Sequence, residues 1–209
     1  MTIPNILTVF RILLTPFFIF FLFNDSESAG VYSLIIFTVA SFTDAYDGYY
    51  ARKYNAVSES GKFLDPLADK ILASSAFISF AVLGLIDIWM VAIIILRDLF
   101  VTLLRMRMKK GGESLVTSNI AKSKTAAQLI TIIFTLIYLS INNSTVPILD
   151  NLSGQIDQFN LIYNLTFIVS LFTVFTGFMY VKDNFTVIKK ILPTPSLDPN
   201  EANEPLEVY

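Results

Sequence analysis

The chain has 209 residues, 54% of them hydrophobic, 14% aromatic and only 15% charged, with a formal net charge of −2 and a mean hydropathy of +0.63. Soluble domains carry about 25% charged residues, so this is a membrane composition, and no nucleic-acid partner is expected from it. Cysteine and histidine are both absent. That excludes disulfides, thiolate metal sites, thiol nucleophiles and imidazole acid–base chemistry, and leaves carboxylate, lysine or tyrosine as a general base.

A spanning helix needs about 20 mostly apolar residues. Six segments qualify, at about 7–23, 31–51, 64–84, 88–107, 121–141 and 160–181. Residues 1–6 are expected in the membrane interface, with Pro4 suited to a helix start. No small-residue cleavage site follows the first segment, and Arg11 lies too far inside for an n-region. The segment therefore reads as a membrane helix and not as a cleaved signal. Residues 142–159 are expected as a loop. Pro193 to Tyr209 holds Asp198, Glu201, Glu204 and Glu207 with no basic residue, which reads as a disordered acidic tail. The expected organisation is an all-α integral membrane domain over 1–190, with six transmembrane helices and a short N-terminal interfacial segment, followed by a cytoplasmic tail over 191–209.

Charge sets the expected orientation. The loop around Asp25 and Glu27, the Gly84–Asp87 turn and the 142–159 loop carry no Lys or Arg. Arg52, Lys53, Lys62, Arg105, Arg107, Lys109, Lys110, Lys122, Lys124, Lys182, Lys189 and Lys190 flank the other ends. With six spans, both termini fall in the cytoplasm.

Four aspartates stand on the second and third apolar segments: Asp44, Asp47, Asp65 and Asp69. Ionisable groups at membrane depth are costly and mark function. At 1.5 Å per residue, Asp44 and Asp69 each lie roughly 9–12 Å inside the cytosolic end of a helix. Asp44, Asp47, Gly48 and Ala51 share one helical face, and Asp65 and Asp69 share another. The small residues leave room for a ligand. Carboxylates gathered in this way repel unless something positive stands between them, and divalent cations take carboxylate oxygens. Two metal ions bridged by carboxylates are a recurring device for displacement at phosphorus.

The spacing D44-x2-D47-G48-x2-A51-R52-x8-G61-x3-D65-x3-D69 resembles the motif of the CDP-alcohol phosphatidyltransferases, and all eight defining positions are present. The resemblance implies a six-helix membrane enzyme, usually a homodimer, in which an alcohol displaces CMP from a CDP-linked lipid. By carry-over, Asp44, Asp47, Asp65 and Asp69 hold two divalent cations, Mg²⁺ or Mn²⁺, and Asp69 is the general base. Gly48, Ala51, Arg52 and Gly61 form the cytidine nucleotide pocket, which Asp44, Asp47 and Asp65 line. The opening I3-P-N5-I-L-T8-V-F-R11 and the stretches L96-R97-D98-L-F-V-T-L-L-R105 and A121-K122-S-K124-T125-A-A-Q128 resemble the phosphatidylglycerophosphate synthase branch of that family, Ala121 standing where glycine is common. That branch joins CDP-diacylglycerol to sn-glycerol 3-phosphate in the bacterial inner membrane. Asn5 and Thr8 are read as further CDP-lipid contacts, against the alternative that they cap and anchor the first helix.

The residues themselves favour a phosphorylated acceptor. Arg97 lies deep in the fourth segment, where an unpaired guanidinium is expensive, and Arg105 follows on about the same face. Lys122 and Lys124 open the fifth segment at the same interface. Arginine suits phosphate through its planar fork. These four are the candidate acceptor-phosphate ligands, with inositol phosphate as a rival acceptor. The bland alternative pairs Arg97 with Asp98. A cation or proton transporter is the rival from another class, opposed by the confinement of the acids to one half of two helices.

Overall fold

The computed structural model describes residues 3–54, 61–110, 119–142 and 146–191, and within them the side chains of 9–43, 70–108, 123–142, 146 and 148–189. Among the described residues there is no strand. In chain order the helices are α1 (Ile3–Leu22), α2 (Ala29–Tyr54), α3 (Gly61–Val82), α4 (Ile88–Lys110), α5 (Asn119–Asn142), α6 (Pro147–Gln158), α7 (Leu161–Asp183) and α8 (Phe185–Ile191). The segment expected as the tail lies, apart from Ile191, outside the described residues.

Two elements differ from expectation. Helix α1 begins at Ile3, so residues 3–6 of the expected interfacial segment form its first turn. Pro4 is accommodated there because N–H groups of the first turn have no intrahelical acceptor. Helix α6 occupies the expected 142–159 loop. Val146 is extended, as the residue before a proline tends to be, and Pro147 then starts the helix. At 12 residues it is too short to span a bilayer. It is tied to α5 by Tyr138, whose hydroxyl donates to Asp157 at 2.7 Å.

The interior mixes small and hydroxyl-bearing residues with an apolar core, and the outer surface is rich in large apolar side chains. Buried positions include Ser33, Ser79, Thr131, Thr135, Thr166, Ser170 and Thr173, while Leu13, Phe17, Phe20, Phe42, Ile130 and Phe178 are exposed. The buried hydroxyls of Ser33, Thr131, Thr135 and Thr166 donate to the carbonyl four residues back, which removes most of their desolvation cost. Small and hydroxyl side chains between helices and large apolar ones outside are the arrangement lipid favours. Two helices, Ser123–Asn142 and Leu161–Asp183, are long and apolar enough to cross a membrane, with only 33% of each apolar window buried. A buried soluble core helix would be covered on all sides. The apolar core proper joins Phe18, Phe37, Phe77, Phe80, Ile132 and Leu136.

Two glycines fix the geometry. A Cβ on Gly30 of α2 would stand 2.6 Å from the Ser140 backbone nitrogen and 2.7 Å from the Leu139 carbonyl of α5, so these helices cross backbone to backbone. Gly84 has φ +76° and closes α3: its N–H donates to Ala81 and that of Leu85 to Phe80, the paired bonds of a Schellman ending.

One end of the molecule gathers the acidic loops. Asp25 and Glu27 share a cavity with Leu83 and Leu139, the ends of α3 and α5. Asp87 accepts from Trp89 Nε1 at 2.9 Å and from the Tyr163 hydroxyl at 3.0 Å. The cationic residues Arg105, Arg107, Lys182 and Lys189 lie near the opposite ends of α4 and α7 and on α8.

Replacing Gly30 by alanine is expected to lower stability by about 1–3 kcal/mol, because the added methyl meets backbone that cannot swing aside. Gly154→Ala, with nothing within 4 Å of the added Cβ, is expected to leave the melting temperature in detergent unchanged or slightly raised. Equal Tm values for the two variants would contradict the close α2–α5 crossing.

Candidate active site

The backbone of α2 is helical without a break from Ala29 to Tyr54, and that of α3 from Gly61 to Val82. Positions 44, 47, 48 and 51 therefore keep their helical spacing, as do 65 and 69, and Gly61 is the first residue of α3. Helix α1, which carries positions 5 and 8, packs against both α2 and α3. The side chains of Asn5, Thr8, Asp44, Asp47, Ala51, Arg52, Asp65, Asp69 and Lys122, and the surroundings of Gly48 and Gly61, lie outside the described residues. The donor set suits a hard divalent cation: four carboxylates, in a chain with no imidazole or thiolate to favour a softer metal.

Next to this segment along α3 is a buried polar cluster around Asp98 of α4, which is 8% exposed. Arg97 Nη1 donates to Asp98 Oδ1 at 3.2 Å. Lys124 of α5, 2% exposed, donates to the same oxygen. Lys70 of α3, the residue after Asp69, stands 3.8 Å from Oδ2, and Gln128 Nε2 reaches Oδ2 at 3.5 Å. A lone carboxylate in this place would be very costly. Three cations from three helices offset that cost and tie α3, α4 and α5 together at one depth.

Arg97 belongs to two neighbourhoods. Besides Asp98, its Nη2 donates to Thr176 Oγ1 on α7 at 3.2 Å. Two of its five donors are thus used, one on each terminal nitrogen. Arg105 lies eight residues on, about 12 Å along the helix, and its guanidinium stands 5.7 Å from the centre of the Tyr180 ring, also on α7. Both arginines face the same neighbour, as their spacing implies. Of the four expected acceptor-phosphate ligands, Arg97 and Lys124 meet on Asp98, Arg105 stands apart over Tyr180, and the Lys122 side chain is not among those described. The alternative pairing of Arg97 with Asp98 also occurs, beside the bond to Thr176.

Arg11 of α1 is 1% exposed. It lines a cavity of about 150 Å³ with Ser41, Lys70, Thr125 and Gln128. Ser41 precedes Asp44 by three residues on α2, so this cationic cavity adjoins the aspartate segments along both α2 and α3. The sequence leaves Arg11 open between an anchor of the first helix and a ligand contact; the structure buries it.

Several neighbours of the site were not anticipated: Thr176, Gly177 and Tyr180, and the contact of Lys70 and Gln128 with Asp98. The signals were present but faint. Lys124 and Gln128 are one helical turn apart, and Thr166, Ser170, Thr173, Gly177 and Tyr180 repeat every three or four residues along α7. Such a small and polar stripe was hidden by the many phenylalanines between.

The model of the family described as CDP-alcohol phosphatidyltransferase matches residues 1–178. The chain belongs to that family. As a CDP-alcohol phosphatidyltransferase it is an enzyme of a membrane-bound group. It is 36% identical over 199 residues to the CDP-diacylglycerol–glycerol-3-phosphate 3-phosphatidyltransferase of Bacillus subtilis, covering 90% of this chain and 97% of that one. It is 33% identical over 180 residues to the protein of the same name from Rickettsia bellii, covering 86% and 93% of the two chains. A probable phosphatidylglycerophosphate synthase of Mycobacterium tuberculosis is 39% identical over 113 residues, covering 53% of this chain and 54% of its own.

Removing Asp98 from this phosphatidyltransferase leaves Lys124 and Arg97 buried without their shared carboxylate. Asp98→Ala is expected to cost about 3–5 kcal/mol, the usual result of orphaning a buried charge. The drop would appear as a large fall in Tm in detergent. A Tm within error of wild type would show that the cluster carries no such load.

Proposed function

We propose that the chain transfers the phosphatidyl group from CDP-diacylglycerol to sn-glycerol 3-phosphate, forming phosphatidylglycerol phosphate and CMP. The observation that carries this reading is the alignment, over 90% of the chain, with a relative named for that reaction. The buried cationic cluster on α3, α4 and α5 supports it, because the acceptor is itself an anion. An unphosphorylated acceptor would give Arg97 no partner beyond Asp98 and Thr176.

Asp44, Asp47, Asp65 and Asp69 would hold two divalent cations, Mg²⁺ or Mn²⁺, which when bound draw negative charge from the diphosphate and from the departing CMP. Asp69 takes the proton from the primary hydroxyl of the acceptor. That oxygen bonds to the phosphorus bearing diacylglycerol, and the bond from this phosphorus to the CMP oxygen breaks. Gly48, Ala51, Arg52 and Gly61 receive the cytidine nucleotide, with Asn5 and Thr8 of α1 beside the lipid-linked diphosphate. Arg97, Arg105, Lys122 and Lys124 bind the acceptor phosphate, Lys124 while anchored on Asp98.

The helices α1, α2, α3, α4, α5 and α7 form six membrane spans, with α6 on the outer surface and α8 at the cytosolic interface. The acidic loops then face outward, and the cationic ends and both termini face the cytoplasm. The membrane is the bacterial inner membrane, whose lipids surround the exposed phenylalanines, and the working unit is a homodimer. Residues 1–190 form the membrane domain and 191–209 an acidic cytoplasmic tail.

Purified protein in detergent with CDP-diacylglycerol and Mg²⁺ or Mn²⁺ is expected to release CMP with sn-glycerol 3-phosphate and not with inositol or serine. Asp69→Asn is expected to lower kcat by about 10²–10⁴-fold. Turnover with inositol phosphate in place of glycerol 3-phosphate would overturn the acceptor assignment. Orientation has its own test, made simple by the absence of cysteine. A single Ser26→Cys variant is expected to react with an impermeant maleimide in intact cells, and Lys189→Cys only after permeabilisation. The reverse pattern would invert the topology.

A further inference from the structure

Helix α7 lies outside the aspartate motif, yet it holds one of the proposed acceptor ligands. We propose that Thr176 and Gly177 are positioning residues that set where the Arg97 guanidinium stands, and thereby how tightly the acceptor phosphate binds. The proposal rests on the assignment of Arg97 to that phosphate.

Thr176 is 3% exposed. Its hydroxyl donates to the Thr173 carbonyl at 3.0 Å, so its proton is committed within α7. The oxygen that remains is an acceptor, and Arg97 Nη2 donates to it at 3.2 Å. Gly177 meets the other part of the same side chain. A Cβ there would lie 3.0 Å from Arg97 Cγ, 3.2 Å from Nε and 3.7 Å from Cδ. The Arg97 stem therefore runs across bare α7 backbone, in a space that any other residue would narrow.

Asp98 alone cannot define this geometry. It holds Arg97 through Nη1 only, and it is shared with Lys124 and Lys70. An arginine beside a carboxylate tends toward a two-bond fork. Thr176 opposes that collapse by drawing Nη2 toward α7, and Gly177 lets the stem reach far enough to be drawn. The remaining N–H groups of the two terminal nitrogens stay available to a phosphate. Without the α7 pair, the guanidinium turns onto Asp98 and loses donors to it.

The test is steady-state kinetics of detergent-solubilised enzyme at saturating CDP-diacylglycerol, read as KM for sn-glycerol 3-phosphate against kcat. Thr176→Val and Gly177→Ala are each expected to raise that KM by about tenfold, the usual order for a hydrogen bond to a charged group. The expected change in kcat is within about twofold. Thr176→Ser restores the acceptor oxygen and is expected to return KM to near wild type. In an Arg97→Ala background, Thr176→Val is expected to add nothing, since the effect runs through Arg97. If Thr176→Val does not fold, Thr176→Ala and Gly177→Ala carry the same expectation.

Unchanged acceptor KM in the α7 variants, with KM raised in Arg97→Ala, would overturn the positioning role and leave the phosphate assignment standing. An equal rise from Thr176→Val with and without Arg97 would also overturn it, as a structural effect. Unchanged acceptor KM in Arg97→Ala itself would remove the assignment on which the proposal rests.

Discussion

The Asp98 carboxylate is the constraint from which the rest of the interior follows. A buried carboxylate in an apolar helical bundle demands positive neighbours, and here they come from α3, α4 and α5 at once. Lys124 and Arg97, largely removed from water, would be costly there without the carboxylate. Together with Lys70 they fix the relative height of three helices, and they hold cationic side chains beside the segment that carries Asp65 and Asp69. Under the proposed acceptor assignment, a stability element and an anion-binding element are the same group of atoms. This also explains why a fold so apolar tolerates so much charge in one place.

Around that cluster the bundle solves the packing problem in the way lipid requires. Large apolar side chains lose nothing by exposure when the surroundings are hydrocarbon, so Phe17, Phe20, Phe42 and Phe178 stand outside while Phe18, Phe37, Phe77 and Phe80 pack the core. Elsewhere the helix contacts are made by residues that permit close approach: Gly30 against the α5 backbone, and the hydroxyl rows of α5 and α7. Hydroxyls that bond their own helix can be buried cheaply and retain a lone pair for a neighbour. Thr176 uses that spare lone pair on Arg97. The end that carries the acidic loops is closed differently, by aromatic hydroxyl and indole groups on Asp87 and Asp157, side chains suited to a boundary between hydrocarbon and water.

Much of this was legible in the chain because two signals are unusually direct. Runs of about 20 apolar residues locate long helices almost without regard to context, and all six such runs lie on helices. The eight-position aspartate motif identified the family, which the comparison with known proteins then showed. Helix α6 was missed because it is short and half polar, and its start depends on one proline rather than on hydrophobicity. The other partners of Asp98 escaped the sequence for another reason. Arg97 and Asp98 are adjacent in sequence, but Lys70, Lys124 and Gln128 come from other helices, and a single sequence carries no record of which helices touch. Gly177 shows the limit most clearly: its importance lies in the space it leaves, and that space exists only once α4 is packed against α7.

The central claim is that the buried cationic cluster reads the phosphate of the acceptor. The most direct measurement is the ratio of kcat/KM for sn-glycerol 3-phosphate over glycerol, in wild type and in Arg97→Gln. The account predicts strong preference for the phosphorylated acceptor in wild type and a fall of at least about tenfold in that ratio in the variant. An unchanged ratio, in protein that keeps its Tm, would contradict it and move acceptor selection away from the Asp98 cluster.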